Sequence, residues 1–191
     1  MRHSPFTAVY DACVLYPAPL RDFLMHLALC GLYRARWSAQ IHDEWKRNVL
    51  KNRADLTPQQ LDRTSALMDL AVPDALVTGY EVLCSGLELP DKNDRHVLAA
   101  AIRCKAQSIV TFNLKDFPAK TLASFEIESQ HPDEFIMDLW DLDQAAVLAA
   151  AQRQRRTLRM PPMDVQQYLD MLLRQGIPQT VKALASYESV L

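Results

Sequence analysis

Acidic and amide side chains in four short segments are the residues of this sequence best suited to chemistry. Most of them stand beside the end of an apolar, strand-like run or the start of a predicted helix. Carboxylates gathered in one pocket raise each other's pKa, so such a cluster is costly unless a cation neutralises it. Mg²⁺ and Mn²⁺ are hard ions that prefer oxygen ligands of this kind. The sequence therefore predicts a metal-dependent enzyme acting on phosphate, with the candidate ligands Asp11, Glu44, Asp91, Asp94, Asn113 and Asp116.

Strands that alternate with helices predict the fold that would gather these segments. The predicted strands are 6–10, 75–77 and 108–112, and the predicted helices of this part are 21–30, 38–53, 57–71 and 97–104. This alternation is typical of an α/β fold with a central parallel sheet. Ligands of such folds bind beyond the carboxyl ends of the strands. Asp11 follows the first strand directly, and Asn113 and Asp116 follow the strand 108–112.

Two helix starts carry recognisable signals. Ser38 is a predicted N-cap, and Thr57 precedes Pro58 in the order expected of an N-cap and a first helical residue. Glu44 lies at the edge of the apolar face of the helix that begins at Ser38. From that edge, Glu44 can reach the mouth of the sheet.

The predicted secondary structure changes near residue 130, from alternating strands and helices to helices alone. His131-Pro132 is a boundary signal, and no strand is predicted after it. The predicted helices beyond this point are 133–140, 142–157, 164–175 and 178–189. We therefore expect an α/β domain over residues 1–130, which carries the candidate site, and a helical extension over 131–191.

Composition limits the possible partners and locations. A net charge of -2 excludes a global attraction to nucleic acid, so a polyanionic partner would need a local basic patch. The basic run 153–159 is the most concentrated one, and a solvated helix face is its more frequent explanation. The 4 cysteines show no paired spacing, and we find no leader or membrane-spanning stretch, so we expect a cytoplasmic protein with no membrane partner.

Each candidate residue also has an ordinary structural role. Asp11 could form a turn, and Glu44 could be a solvated helix residue. Asp91 and Asp94 compete for the role of helix N-cap, and we favour Asp94 as the metal ligand. Asp116 could cap a turn. Arg95 and His96, which follow Asp94, are better explained as salt-bridge or surface residues than as phosphate contacts.

Three segments together resemble the PIN-domain family, and more narrowly the VapC-like toxin ribonucleases. The segments are 9–22, 91–101 and 111–117, within a resemblance that covers about residues 6–130. The resemblance implies a three-layer α/β/α fold with a central parallel sheet and Mg²⁺- or Mn²⁺-dependent cleavage of RNA. It implies the toxin of a type II toxin–antitoxin pair, a cognate antitoxin as partner, and a homodimer. The family's acidic set falls on Asp11, Glu44, Asp94 and Asp116, and the helical tail is similar to an extension found in one subgroup.

Two residues depart from the family pattern and keep other functions open. Cys13 stands where the family usually has a small polar residue, and Asn113 stands where many relatives carry a fourth acid. These departures motivate an alternative, a PIN-like module that binds RNA or a protein without cleaving. A phosphatase-like hydrolase with Asp11 as nucleophile is a third hypothesis. It would usually need an aspartate at the position of Cys13.

Overall fold

A five-stranded, entirely parallel sheet forms the centre of the computed structural model, which describes residues 6–159 and 161–191. In spatial order the strands are β3, β2, β1, β4 and β5. Their bounds are β1 Phe6–Tyr10, β2 Tyr33–Ser38, β3 Leu76–Val77, β4 Ser108–Val110 and β5 Glu128–Gln130. The predicted α/β class with a central parallel sheet is confirmed.

The sequence analysis missed two of these strands, β2 and β5. Strand β2 alternates buried Tyr33, Ala35 and Trp37 with two arginines, so it lacks the continuous apolar run that marked β1 and β4. Strand β5 has the sequence Glu-Ser-Gln and lies at the edge of the sheet, where polar side chains are tolerated. Both strands are held by pairing with a neighbour, which local composition does not reveal.

Ten α-helices surround the sheet within the described residues. They are α1 Ala12–Leu15, α2 Ala18–Ala28, α3 Ala39–Asn52, α4 Pro58–Ala71, α5 Arg95–Arg103, α6 Ala119–Leu122, α7 Pro132–Leu142, α8 Gln144–Thr157, α9 Val165–Leu173 and α10 Pro178–Ala185. The predicted caps are confirmed, because Ser38 accepts a hydrogen bond from the Ile41 amide and Thr57 forms a capping box with Gln60. None of the helices in the described ranges is long and apolar enough to cross a membrane.

Helices pack on both faces of the sheet and complete the predicted three layers. Helix α5 contacts β1, β2 and β4 through a fully buried stretch, Val97–Ala101. A cluster of aromatic rings joins the sheet to α7, where the Phe135 ring lies 5.0 Å from that of Tyr33 and 6.4 Å from that of Tyr10. A helix beyond residue 130 therefore shares the core of the sheet, and the division into 1–130 and 131–191 stays a prediction.

A buried polar network orients α3, the helix that carries Glu44. Asp69 of α4 accepts hydrogen bonds from Trp37 Nε1 at 2.6 Å and from His42 Nε2 at 3.0 Å. His42 Nδ1 accepts from Trp45 Nε1 at 3.0 Å, so the imidazole is neutral with its proton on Nε2. Burial lowers the pKa of His42, which favours the same neutral form. The network ties α3 to β2 and α4 through two buried tryptophans.

A second buried carboxylate joins two of the C-terminal helices. Asp133 of α7 is 2% exposed and accepts from the Gln179 amide at 2.9 Å, the Thr180 amide at 2.8 Å and Thr180 Oγ1 at 2.7 Å. Those amides belong to the first turn of α10, where backbone N–H groups lack partners within the helix. Asp133 thus caps α10 from a neighbouring helix.

Replacing Asp133 by Ala should lower the free energy of unfolding by about 2 to 3 kcal/mol, because three donors, two of them on buried Thr180, lose a charged acceptor. Urea denaturation followed by circular dichroism measures the effect. Glu134→Ala is the matched control, since Glu134 is exposed in the same helical turn and should change stability by less than about 0.5 kcal/mol. Equal effects of the two substitutions would contradict the capping role.

Candidate active site

The first element of the site is the carboxyl end of the neighbouring strands β1 and β4. Tyr10 pairs with Val110 in the parallel register, so Asp11 and Thr111 leave the sheet side by side. Asp11 is 3% exposed, and its Oδ2 accepts from Thr111 Oγ1 at 2.7 Å. Its Oδ1 accepts from the Ala12 amide at 2.6 Å, which makes Asp11 the N-cap of α1. The turn-forming role and the candidate ligand role therefore fall on the same residue.

Cys13 completes the surroundings of Asp11 as a neutral donor. Its Sγ lies 3.1 Å from Asp11 Oδ2, and the pKa of the thiol is raised by burial and then by the charge of Asp11. A thiol held protonated donates a hydrogen bond and is a poor metal ligand. Cys13 thus supplies Asp11 with a hydrogen-bond donor.

The pKa of Asp11 is raised mainly by burial, and the charge of Glu44 raises it further. Hydrogen bonds from Thr111 and Cys13 act in the opposite direction by favouring the carboxylate. The sequence analysis did not single out Thr111 as part of the site. A hydroxyl directly after a buried parallel strand, next to the strand that carries Asp11, was the available signal.

A cleft of about 970 Å³ lies over this end of the sheet and brings most candidate residues together. Five of the six candidates line it: Glu44, Asp91, Asp94, Asn113 and Asp116. Asp11, which is buried, does not line the cleft, but its charge raises the pKa of both Asp94 and Cys13. Segments that are distant in the chain therefore meet around one cavity.

Asp94 is the electrostatic centre of the cluster. Its pKa is raised to about 7, first by burial and then by the charges of four other acids, Asp11, Asp91, Asp116 and Glu44, in that order. All four other acids of the candidate set thus act on Asp94. This repulsion is the condition that a bound cation would relieve.

The competition between Asp91 and Asp94 for the capping role is resolved by their hydrogen bonds. Asp91 accepts from the Asn93 amide at 2.8 Å and caps the short 3₁₀ helix Lys92–Asp94. Asp94 occupies the N-cap position of α5, but its side chain makes no capping hydrogen bond. The Asp94 carboxylate is therefore the one of the two that is not used as a cap.

The carboxylate and amide oxygens of the candidate residues are suited to a hard cation, but in this structure the carboxylates lie too far apart for three of them to share one. Within residues 6–159 and 161–191, no group of three His, Cys, Asp or Glu side chains is close enough to share an ion. Carboxylates that repel one another are expected to stand apart, and a cation would favour their approach. The oxygen-rich lining fits Mg²⁺ or Mn²⁺ better than zinc. The assignment of metal ligands stays a prediction.

Basic residues occupy the wall of the same cleft. Arg47, Lys92 and Arg95 line it, and no carboxylate of the described residues forms an ion pair with any of them. Arg95 Nε is buried without a hydrogen-bond partner among these residues. The salt bridge expected for Arg95 is therefore not found within the described part of the chain, since no carboxylate there lies within ion-pair distance of its guanidinium.

The basic run 153–159 lies away from this cleft, at the end of α8. Arg153 donates to Cys30 Sγ at 3.1 Å, and Arg155 donates to the Leu191 carbonyl oxygen at 2.8 Å. Two of its arginines are therefore engaged in contacts within the fold. The predicted solvated face is seen in the exposed side chains of Arg153, Arg156 and Arg159, whereas Arg155 is half-buried.

Comparisons with known proteins agree with these features. The family model described as PIN domain matches residues 7–115, which is more than half of the chain, and the model described as VapC50 C-terminal domain matches residues 132–186. The chain is 39% identical over 113 residues to the Mycobacterium tuberculosis (strain ATCC 25618 / H37Rv) protein named "Putative ribonuclease VapC50". That alignment covers 57% of this chain and 66% of the relative, slightly less than two thirds of its length. No solved structure gives a significant match.

The raised pKa of Asp94 predicts a specific pH dependence of stability in the metal-free protein. Between pH 4 and about 7 the folded state binds more protons than the unfolded state, so stability should fall as pH rises through this window. Asp94→Asn removes this dependence. At pH 8 it should raise the free energy of unfolding by roughly 1 kcal/mol, a value discounted because the carboxylate is half-exposed.

Urea denaturation in EDTA at pH 4 and pH 8 measures this difference. At pH 4 Asp94→Asn and the wild type should be equally stable, because Asp94 is then protonated in the folded protein. Asp141→Asn serves as control, since Asp141 is exposed on α7 outside the cleft. A stabilisation of the same size at both pH values would show that charge repulsion is not its source.

Proposed function

Because this chain belongs to the PIN-domain family, we propose that it is a divalent-metal-dependent endoribonuclease and the toxin of a type II toxin–antitoxin pair. The observation that carries the proposal is the half-buried carboxyl group of Asp94, whose pKa is raised to about 7 by burial and by the charges of four surrounding acids. A fold retains so costly a cluster when a bound cation offsets the cost. The similarity to VapC50, together with the match of the C-terminal helices, supports the narrower assignment as a toxin.

In this proposal Asp11, Glu44 and Asp94 hold Mg²⁺ or Mn²⁺, and Asp116 completes the acidic set. Asp91 and Asn113 line the same cleft and are further candidate ligands. When bound, such an ion activates water and stabilises negative charge on the phosphate under attack. The protein supplies fixed donors: Thr111 and the Ala12 amide hold the Asp11 carboxylate in one orientation.

The basic residues of the cleft supply the complement to a polyanionic substrate. An RNA backbone that approaches five acids is repelled unless nearby cations attract it. Arg47, Lys92 and Arg95 line the cavity and have no carboxylate partner among the described residues, so they are available to phosphates. Their interactions with phosphate are independent of base sequence and position the strand along the acids.

Membership of the PIN-domain family also supports the proposed partners and location. A cognate antitoxin, a homodimer and a cytoplasmic location are parts of the proposal, as is the division into a nuclease domain over 1–130 and a helical extension over 131–191. Isolation of the chain with the product of an adjacent small reading frame would identify the antitoxin.

Substitution of either Asp11 or Asp94 by Asn should lower RNA cleavage by about 100-fold or more, because charge stabilisation of the transition state is lost. The assay is cleavage of a mixed RNA pool with Mn²⁺, with Mg²⁺ and with excess EDTA. Millimolar Mn²⁺ should also raise the melting temperature of the wild type, since a ligand of the folded state stabilises it.

Asp141→Asn is the control for this experiment and should retain full cleavage. Full cleavage by Asp94→Asn, or by the wild type in excess EDTA, would refute the nuclease assignment. Tight RNA binding without cleavage under any divalent ion would favour the alternative, a PIN-like module that binds without cutting.

Removing Arg47 or Arg95 should weaken RNA binding and reduce its dependence on salt. For single-stranded RNA, each phosphate that is no longer neutralised by a basic side chain reduces the slope of log K against log salt concentration by about 0.7. Fluorescence anisotropy in EDTA, where no cleavage occurs, measures the slope for Arg47→Ala and Arg95→Ala. Arg63→Ala is the matched control, because Arg63 is exposed on α4 outside the cleft. An unchanged slope for both cleft variants would contradict phosphate binding by these arginines.

A further inference from the structure

A buried histidine contacts the carboxylate of Glu44. His96 Nε2 lies 3.2 Å from Glu44 Oε2, which joins α5 to α3 across the cleft. The His96 side chain is 4% exposed, whereas that of Glu44 is 28% exposed. The contact therefore links a residue within the core to a carboxylate that faces the cavity.

The surroundings of His96 determine which ring nitrogen carries the proton. Nδ1 is buried and has no hydrogen-bond partner among the described residues. An N–H group left unpaired inside a protein costs more than an unpaired lone pair of a ring nitrogen, so the proton is expected on Nε2. In this tautomer Nε2–H donates to Glu44, and Nδ1 is a bare acceptor.

The contact restricts a side chain that would otherwise be mobile. A glutamate has three rotatable side-chain bonds, and ordering it costs conformational entropy. His96 is buried in the first turn of α5, so its ring offers a fixed donor. The hydrogen bond occupies Oε2 and leaves Oε1 of Glu44 for another ligand.

We propose that His96 is a positioning residue, which holds the Glu44 carboxylate in the orientation needed to bind the divalent ion. The inference rests on the proposed function, because it assigns Glu44 to the metal site. Partners that hydrogen-bond to a ligating group typically change metal affinity by about 10- to 100-fold when they are removed. His96 does not itself bind the ion, since Nε2 is used by Glu44 and Nδ1 is buried.

Two substitutions separate positioning from packing. His96→Phe fills the same space without a donor, whereas His96→Gln places an amide N–H near the position of Nε2. Mn²⁺ affinity is measured by calorimetry. We expect His96→Phe to weaken binding by about 10- to 100-fold and His96→Gln to stay close to the wild type.

A double-mutant cycle with Glu44→Gln tests whether the effect passes through Glu44. In the Glu44→Gln background, His96→Phe should cause no further loss of Mn²⁺ affinity. If His96→Phe lowers Mn²⁺ affinity equally in the wild-type and Glu44→Gln backgrounds, the inference is overturned. It is also overturned if His96→Phe leaves Mn²⁺ affinity unchanged, or if His96→Gln lowers it as much as His96→Phe does. Neither of these last two results would contradict the proposed metal site, because the wild type would still bind Mn²⁺.

The hydrogen bond can be observed without metal. Imidazole ¹⁵N spectra of the metal-free protein should show His96 protonated at Nε2, and Glu44→Gln should shift that resonance. A proton on Nδ1, or a resonance insensitive to Glu44→Gln, would overturn the inference whatever the metal does. Failure of the wild type to bind Mn²⁺ would instead refute the proposed function, so the two failures are distinguishable.

Discussion

Repulsion among carboxylates is the constraint on which the interpretation of this molecule depends. Burial already disfavours the charged form of Asp94, and four neighbouring acids disfavour it further. The repulsion itself does not benefit folding, since removal of a charge would relieve it. The hydrophobic core must therefore provide the stability that the cluster costs. Such a balance is typical of functional sites, where groups are held in environments that perturb their pKa values.

Rigid elements hold the carboxylates on opposite sides of the cleft. Asp11 is fixed by the pairing of β1 with β4 and by hydrogen bonds from Thr111 and the Ala12 amide. Glu44 is fixed less directly. The network of His42 and Asp69 orients its helix, and His96 approaches its carboxylate from α5. Each acid thus depends on contacts from an element other than its own.

The acidic and the basic side chains of the cleft are arranged differently. The acids converge and influence one another, whereas Arg47 and Arg95 line the wall without forming ion pairs within the described residues. A guanidinium paired with an acid would neutralise the cluster and weaken its attraction for a cation. In the proposed function, this separation leaves the acids available to a metal ion and the arginines available to phosphates. A chain with a net charge of -2 can thus still present the local basic patch that a polyanionic partner would need.

Local sequence patterns determined the elements whose signals are contained within a few residues. The apolar runs of β1 and β4, the caps at Ser38 and Thr57 and the four C-terminal helices are of this kind. The acidic segments could be recognised for the same reason, since each carries its own pattern. Strands β2 and β5 could not be recognised from the sequence, because they are held in the sheet by pairing with a neighbouring strand and not by their own composition.

Contacts between distant segments were decided only by the tertiary structure. The sequence placed Asp94 beside a helix start, but burial and the charges of four acids, three of them from distant segments, set its pKa. Thr111 became a partner of Asp11 because parallel pairing aligns two strand ends that are about a hundred residues apart. His96 became a partner of Glu44 because α3 and α5 face the same cleft. Electrostatics and hydrogen bonding depend on distance in space, which a linear pattern of residues does not contain.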